Sequence, residues 1–396
     1  MPIFGEIKGT QVSANLWTDI EGVDSGALTQ IRNVASLAPT VAVSIMPDVH
    51  LGVGACIGSV IAMQDAVAPS LTGVDIGCGM TAIKTHLKRA DLSQGQLQAT
   101  YKQILRSVPV GFNWHKDAKG RSIYEEYADS MDKYDQEIPK AIRAAEDKSK
   151  VECQIGTLGG GNHFIEVSYD ADDCIWLLLH SGSRNVGYKI ADYYIKLAKK
   201  QMPNGLPDKD LAYFTKGDGL FEEYWQSMQW AQRYARNNRS VMMAMVFRAV
   251  NDQKFSGNDQ IISCHHNFAE AEKHEEISDS PVIVIRKGAI EAAEGQLGII
   301  PGAMGRDSYI VRGLGNSLAL RSAPHGAGRI MSRTQAKKKF TSEELEDTLA
   351  GIIARNDNGV LDEICYSYKD INDVMNRSSD LVEPVAKLRQ LICIKG

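Results

Sequence analysis

Four short stretches place a histidine against glycine or cysteine: GGGNHFIE around His163, WLLLHSGSR around His180, IISCHHN with His265 and His266, and SAPHGAGR with His325. In the first three a short apolar run meets a polar or glycine-rich turn. Strand ends are rigid platforms, which suits side chains that must be held to a few tenths of an ångström. Asp75 and Cys78 lie three residues apart in GVDIGCG, on a loop able to aim both at one centre. Asp, Cys and several His form a mixed hard and soft ligand set, and on ligand type alone zinc would be the first expectation. His325 differs: glycines that could cradle a phosphate follow it, and Arg329 could neutralise charge. A neutral imidazole there could attack phosphorus, and a capping turn histidine accounts for the same residues equally well.

The elements that must position these groups are short and glycine-bounded. Segments rich in β-formers run over Val41–Met46, Cys56–Met63, Met80–Leu87, Ile175–Leu179, Ile261–Cys264, Val282–Ile285 and Tyr309–Val311. The clearest helical periodicity covers Gly187–Met202 and Leu220–Val250. Strands and helices do not alternate as regular βαβ units, which predicts an α+β fold: one large domain over residues 1–396, with several β-sheets and surrounding helices. Two stretches read as polar insertions, the charged Phe112 to Lys150 and residues 203–256, which open on the Pro-, Gly- and Asp-rich Pro203 to Asp218. The 35 glycines concentrate in GVDIGCG, GTLGGGN (156–162), PGAMG (301–305), RGLGN (312–316) and HGAG (325–328). Such loops let backbone N–H groups approach phosphates, so the repetition points to phosphate handling.

Composition narrows the class. With 43% hydrophobic and 23% charged residues, the chain has enough apolar material for a sizeable core. Its apolar runs, such as Ile175 to Leu179, fall far short of a bilayer span. The start, MPIFGEIKGT, carries no basic segment followed by an apolar stretch, so a cytoplasmic location is expected. Seven cysteines without a CxxC pair argue against a disulfide framework. A net charge of −5 argues against indiscriminate nucleic-acid binding but leaves room for a local basic groove. Basic residues gather at Lys189–Lys200 and Arg329–Lys339, where a solvated helix face and an RNA-binding patch are both open readings. Two further signals carry less weight, the second of them as the runner-up reading. KGDG (216–219) matches a lysine-nucleotidyltransferase signature, but Asp218 reads better as a helix cap. Asp48 and His50 with Asn162 and His163 resemble two blocks of calcineurin-like metallophosphoesterases, whose GDxxD and GHxH blocks are missing.

Ten ordered blocks carry a broader resemblance: MPDVHLGVGACIGS (46–59), GVDIGCGM (73–80), GTLGGGNHFIE (156–166), LHSGSR (179–184), CHHN (264–267), RKGA (286–289), GIIPGAMG (298–305), VRGLGN (311–316), SAPHGAGRIMSR (322–333) and the final KG. They closely resemble the RtcB family of GTP-dependent RNA-splicing ligases. The resemblance implies that His325 attacks the α-phosphate of GTP, that GMP passes to an RNA 3′-phosphate, and that a 5′-hydroxyl end then displaces it. A 2′,3′-cyclic phosphate end is first opened. It implies two Mn²⁺ ions sharing Cys78, one with Asp75 and His163, the other with His180 and His266. Asp48 would orient His325. The guanylate site would draw on Asn162, His163, Phe164, Ile165, Glu166, His266, Asn267, Pro301, Gly302, Ala303, Met304, Ser308, His325, Gly326, Ala327, Gly328 and Lys395. The RNA partner would be a transfer RNA or a damaged RNA. The chain departs from the family pattern at Val53, where lysine is usual, at Ala303, where serine is common, and at Asn185, where glycine is common. Two other functions stay open: a metal-dependent phosphoesterase or RNA cyclic phosphodiesterase on the same scaffold, and an RNA-binding subunit with weak or lost catalysis.

Overall fold

The computed structural model describes residues 3–116, 122, 139–143, 148–202, 204–251 and 260–396. Much of the first expected insertion, and residues 203 and 252–256 of the second, lie outside the described residues. A six-stranded sheet runs in the order β1 (Gly5–Lys8), β2 (Ser13–Leu16), β3 (Thr40–His50), β4 (Ile57–Met63), β12 (Val282–Lys287), β11 (Asn267–Glu272). An eight-stranded sheet runs β10 (Gln260–His265), β6 (Gly79–Lys88), β8 (Cys174–Ser181), β7 (Phe164–Tyr169), β18 (Val382–Lys395), β15 (Ser308–Gly313), β14 (Leu297–Ile300), with β17 (Ile353–Ala354) beside β18. Two small pairs complete the strands: β5 (Ala66–Val67) with β9 (Phe214–Thr215), and β13 (Ala289–Glu291) with β16 (Ser322–Pro324). Neighbouring strands are mostly antiparallel, with β2–β3 and β17–β18 parallel.

Side-chain alternation along the strands explains the layering. In β4, Val60 and Ala62 point into a core shared with Met80 and Ala82 of β6 and Trp176 and Leu178 of β8. Ile61 and Met63 point the other way, to a cluster with Ala27, Ile31 and Val34 of the helix Ser25–Ala35. In β8, Ile175, Leu177 and Leu179 likewise turn outward, to Leu97 and Ile104 of the helix Gln94–Ser107 and to Met242, Met243, Val246 and Phe247. Those last four belong to the helix Gly219–Asn251, whose first half packs into the other outer cluster. The two sheets therefore face each other across one apolar layer, with helices on their outer faces. A strand buried on both faces reads as a continuous apolar run, which is how these strands appear in the sequence. Asp218 caps the long helix, its Oδ1 accepting from Leu220 N at 3.0 Å, as its position in KGDG predicts.

Candidate functional site

The catalytic candidates collect at the ends of strands from both sheets. Between Ile45 and His50 the pairing of β3 with β4 is irregular, and Asp48 sits in that irregular stretch, fully buried. His325 follows β16. Its ring Nδ1–H donates to Asp48 Oδ2 at 2.6 Å, and its backbone N–H reaches the same oxygen at 3.1 Å. Gly328, at φ +72°, lies so close that a Cβ there would fall 2.2 Å from the Asp48 carbonyl oxygen, which explains the glycine three residues after His325.

On the other side of the seam, Asp75 and Cys78 precede β6, His163 precedes β7, and His180 is the penultimate residue of β8. His266 is the single residue between β10 of one sheet and β11 of the other. His163 Nε2 lies 3.1 Å from Asp75 Oδ2 and 3.5 Å from Cys78 Sγ. Cys78 Sγ is 3.3 Å from His180 Nε2, which is 3.2 Å from His266 Nε2. Two groups result, Asp75–Cys78–His163 and Cys78–His180–His266, sharing the thiol, with ligand atoms within 4.8 Å of one another in each. Gly182 is required by close approach, since a Cβ there would sit 2.3 Å from the Asp75 carboxylate.

The surroundings fix how these groups present themselves. His163 Nδ1–H donates to Leu158 O at 2.9 Å and His180 Nδ1–H to Asn162 O at 3.2 Å, so each ring keeps its proton on Nδ1 and offers an Nε2 lone pair. Burial pushes the His180 and His266 pKa values well down and the Cys78 thiol well up, Cys78 being raised further by Asp75. Burial alone would raise Asp75, yet a proton shared with His163 Nε2 brings it below its ordinary value, and a cation bound between the two would take that proton's place. Convergent lone pairs at about 3 Å repel without a proton or cation among them, so this donor set fits divalent cations. Each group supplies three protein donors, leaving further positions for substrate oxygens.

A cleft of about 710 Å³ opens beside this cluster, lined by Asn162, Phe164, His180, Pro301, Gly302, Ala303, His325, Gly326, Ala327, Gly328 and Lys395 among others. Of the expected guanylate residues, Glu166 and Ser308 lie buried, 3.5 Å apart, and Gln390 donates to Glu166 at 2.7 Å. Burial raises the Glu166 pKa to about 8. Asn267 holds Gly288 N through its Oδ1 at 2.9 Å. The Ile165 and Met304 side chains belong to apolar clusters, and neither residue lines the cleft. His265 turns away from the ligand groups: its Nδ1 bonds Gly77 O at 2.8 Å.

Several important residues have no sequence motif. Asn238 and Arg239, both fully buried on the long helix, hold the ligand-bearing loops together. Asn238 Oδ1 accepts from Gly156 N (2.8 Å), and its Nδ2 donates to Gly182 O (3.0 Å); Arg239 donates to Gly77 O (2.8 Å) and Ser181 O (3.2 Å). Glu363 anchors the cleft wall, taking Lys395 Nζ at 2.9 Å, Arg333 at 2.7 Å and the Tyr368 hydroxyl at 2.8 Å. Burial would raise its pKa, but Lys395 and Arg333 hold it at about 2. Arg333 and Lys337 also pair with Asp362, at 2.8 and 3.2 Å, so three of the five cations of the run 329–339, with Arg329 on Glu363, are engaged in place. On the helix Arg184–Gln201, Lys196 pairs with Asp192 at 2.7 Å and Lys199 with Asp210, as on a solvated face.

Residues 30–396 match the family model described as tRNA-splicing ligase RtcB. An RNA-splicing ligase RtcB1 of Escherichia coli is 42% identical, the match covering 96% of this chain and 97% of that protein. The RNA-splicing ligase RtcB of Escherichia coli K12 is 41% identical over the same shares. A tRNA-splicing ligase RtcB of Methanococcus maripaludis is 32% identical over 98% of this chain and 95% of its own length.

Proposed function

The chain belongs to the RtcB family of RNA ligases, and from that premise we propose that it joins RNA 3′-phosphate or 2′,3′-cyclic phosphate ends to 5′-hydroxyl ends, using GTP and two Mn²⁺ ions. The observation that carries this reading is the Asp48–His325–His266 arrangement. Asp48 keeps the His325 proton on Nδ1, so the Nε2 lone pair is available as a nucleophile. The His325 ring stands edge-on to His266, 4.9 Å between centroids, which puts the nucleophile beside the second donor group.

In this mechanism His325 Nε2 forms a bond to the α-phosphorus of GTP as pyrophosphate leaves. The GMP is transferred to the RNA 3′-phosphate, and the incoming 5′-hydroxyl oxygen displaces it to form the phosphodiester. Mn²⁺ bound by Asp75, Cys78, His163, His180 and His266 would neutralise charge developing on the phosphate oxygens. Backbone amides of Gly326–Gly328 would add preorganised donors. Glu166, with Ser308 beside it, and Lys395, with Glu363 behind it, would bind the guanine end. The donor set admits zinc as well, but a reaction at phosphate needs open coordination positions, which favours the hard octahedral preference of Mn²⁺ over closed tetrahedral zinc.

Incubation with GTP labelled at the α-phosphate tests the reading. Acid-labile covalent label that vanishes in His325→Ala is the expected result. Phosphate release without any protein label would establish a hydrolase instead.

A further inference from the structure

The segment after the helix Gln94–Ser107 has a composition no part of the proposed chemistry uses. Phe112 is 98% exposed and Trp114 51% exposed, with exposed Asn113 between them and exposed Lys116 just beyond. One exposed aromatic on a surface is ordinary. Here two occupy alternate positions on a loop that is held at both ends. Gly111 N donates to Gly159 O at 2.9 Å, and Arg184 donates to Gly111 O at 3.1 Å. Asn113 folds its backbone and side-chain N–H groups onto Val110 O, at 3.3 and 3.0 Å. His115 is buried, its backbone N–H on Cys153 O at 3.1 Å and its Nε2 on Gly156 O at 3.1 Å. The aromatics are therefore displayed by a fixed backbone.

That backbone is attached to the loop carrying His163. A Cβ built on Gly160 would lie 3.7 Å from Gly111 Cα, and Asn162, two residues on, lines the cleft. On the other side, Ser107 lines a second groove of about 670 Å³ with Lys102, Arg106 and Arg248. Neither Lys102 nor Arg106 has an ion-pair partner among the described residues. Arg329, Arg333 and Lys337, by contrast, are spent on Asp362 and Glu363. Four residues from Ser107 to Gly111 span at most about 14 Å, so the groove, the aromatics and the cleft are within reach of one short strand.

We propose that Phe112 and Trp114 form a stacking platform for bases of the RNA strand whose end enters the cleft, while Lys102 and Arg106 meet its phosphates further along. Stacking on exposed aromatics beside cations binds single strands with little sequence preference, because every base has a π-face. This inference rests on the ligase reading and adds how the strand is held.

The probe is a fluorescent oligouridylate with a 3′-phosphate, titrated by anisotropy into the whole protein at several salt concentrations. Phe112→Ala with Trp114→Ala should weaken binding about tenfold or more. Phe112→Trp with Trp114→Phe should stay within about twofold of the parent. Lys102→Gln with Arg106→Gln should lower the slope of log affinity against log salt by roughly 1.4, about 0.7 for each phosphate left without its cation. Labelling by GTP should persist in all of them. Unchanged RNA affinity in the double alanine variant overturns the platform. Absence of GTP labelling in the parent, with RNA binding still dependent on the aromatics, overturns the ligase chemistry and leaves the platform standing.

Discussion

Asp48 offers the most direct test of how His325 would be prepared for the proposed reaction. Its Oδ2 accepts two hydrogen bonds from His325, at 2.6 and 3.1 Å, while Oδ1 is buried without a partner. Asp48→Ala removes both bonds and the charge. A hydrogen bond to a charged group is worth about 1.5–3 kcal/mol. If that energy holds the imidazole in its reactive tautomer and orientation, labelling from GTP should slow by about 10- to 150-fold. Asp48→Asn is milder, because the amide oxygen can occupy the Oδ2 position and accept both N–H groups. It keeps the geometry and loses the charge, so roughly a tenfold loss is expected. The amide NH₂ would then occupy the partnerless Oδ1 position, costing about 1–3 kcal/mol of stability. The assay is single-turnover labelling with α-labelled GTP, followed by sealing of an RNA whose 3′ end is already guanylylated. The second reaction needs no nucleophile and should survive in both variants. Labelling of Asp48→Ala at the parent rate would refute the reasoning, as would an equal loss in both reactions.

Other expectations follow from the same geometry. Cys78→Ser should lose bound metal first and sealing of pre-guanylylated RNA with it, whereas His325→Ala should keep both; metal content and sealing measured side by side decide this. Because burial and Asp75 keep the metal-free Cys78 thiol protonated, metal binding must release that proton, so affinity measured by calorimetry should rise with pH. Glu363→Gln should cost about 3–5 kcal/mol in chemical denaturation, because it leaves buried Lys395 without its carboxylate. In the parent, Glu363 has a folded pKa of about 2 against an ordinary 4.5, so its contribution is complete above pH 4.5 and fades as pH falls towards 2; acid melts of parent and Glu363→Gln should converge across that window. Val53→Lys places a charge on a 63% exposed position whose carbonyl is tied to Lys287, so stability should change by no more than about 0.5 kcal/mol, and any gain should appear in nucleotide or RNA affinity.

Seven strands of the two facing sheets, β3, β4, β6, β8, β10, β12 and β15, are legible in the sequence as apolar or β-rich runs such as Ile175–Leu179, whereas the short or polar β1, β2, β7, β11, β14 and β17 are not. Nor is the strand β18. It spans 14 residues between β7 and β15, but Pro384 and the charges of Glu383, Lys387 and Arg389 interrupt its pattern, and its register shifts opposite both neighbours. The helix Gln94–Ser107 also escapes a reading by periodicity, although its capping box of Ser93 and Gln96 is a local signal. Clustering of the candidate ligands is expected from histidines at strand ends. Residue type cannot separate His265 from His266; their contacts diverge because one closes β10 and the other begins the passage to β11. Asn238 and Arg239 leave no trace in the sequence, since their partners are carbonyls and amides as many as 162 residues away. Glu363 is hidden in the same way, its partners being supplied by three separate segments.

The seam between the sheets has a mechanical consequence. Asp48 and the turn bearing His325 belong with the six-stranded side, while Asp75, Cys78, His163 and His180 belong with the eight-stranded side, and His266 is the joint. The two halves of the site thus ride on separate plates with an apolar layer between them. Sliding one plate by an ångström would leave every strand intact and every hydrogen-bond ladder closed, yet it would part His325 from the candidate ligand cluster. A misplacement of that size costs on the order of a hundredfold in rate. Warming, or a bulky substitution in the layer at Ala62 or Ala82, should therefore silence guanylylation while circular dichroism still reports a folded chain: the joint loosens before the plates break.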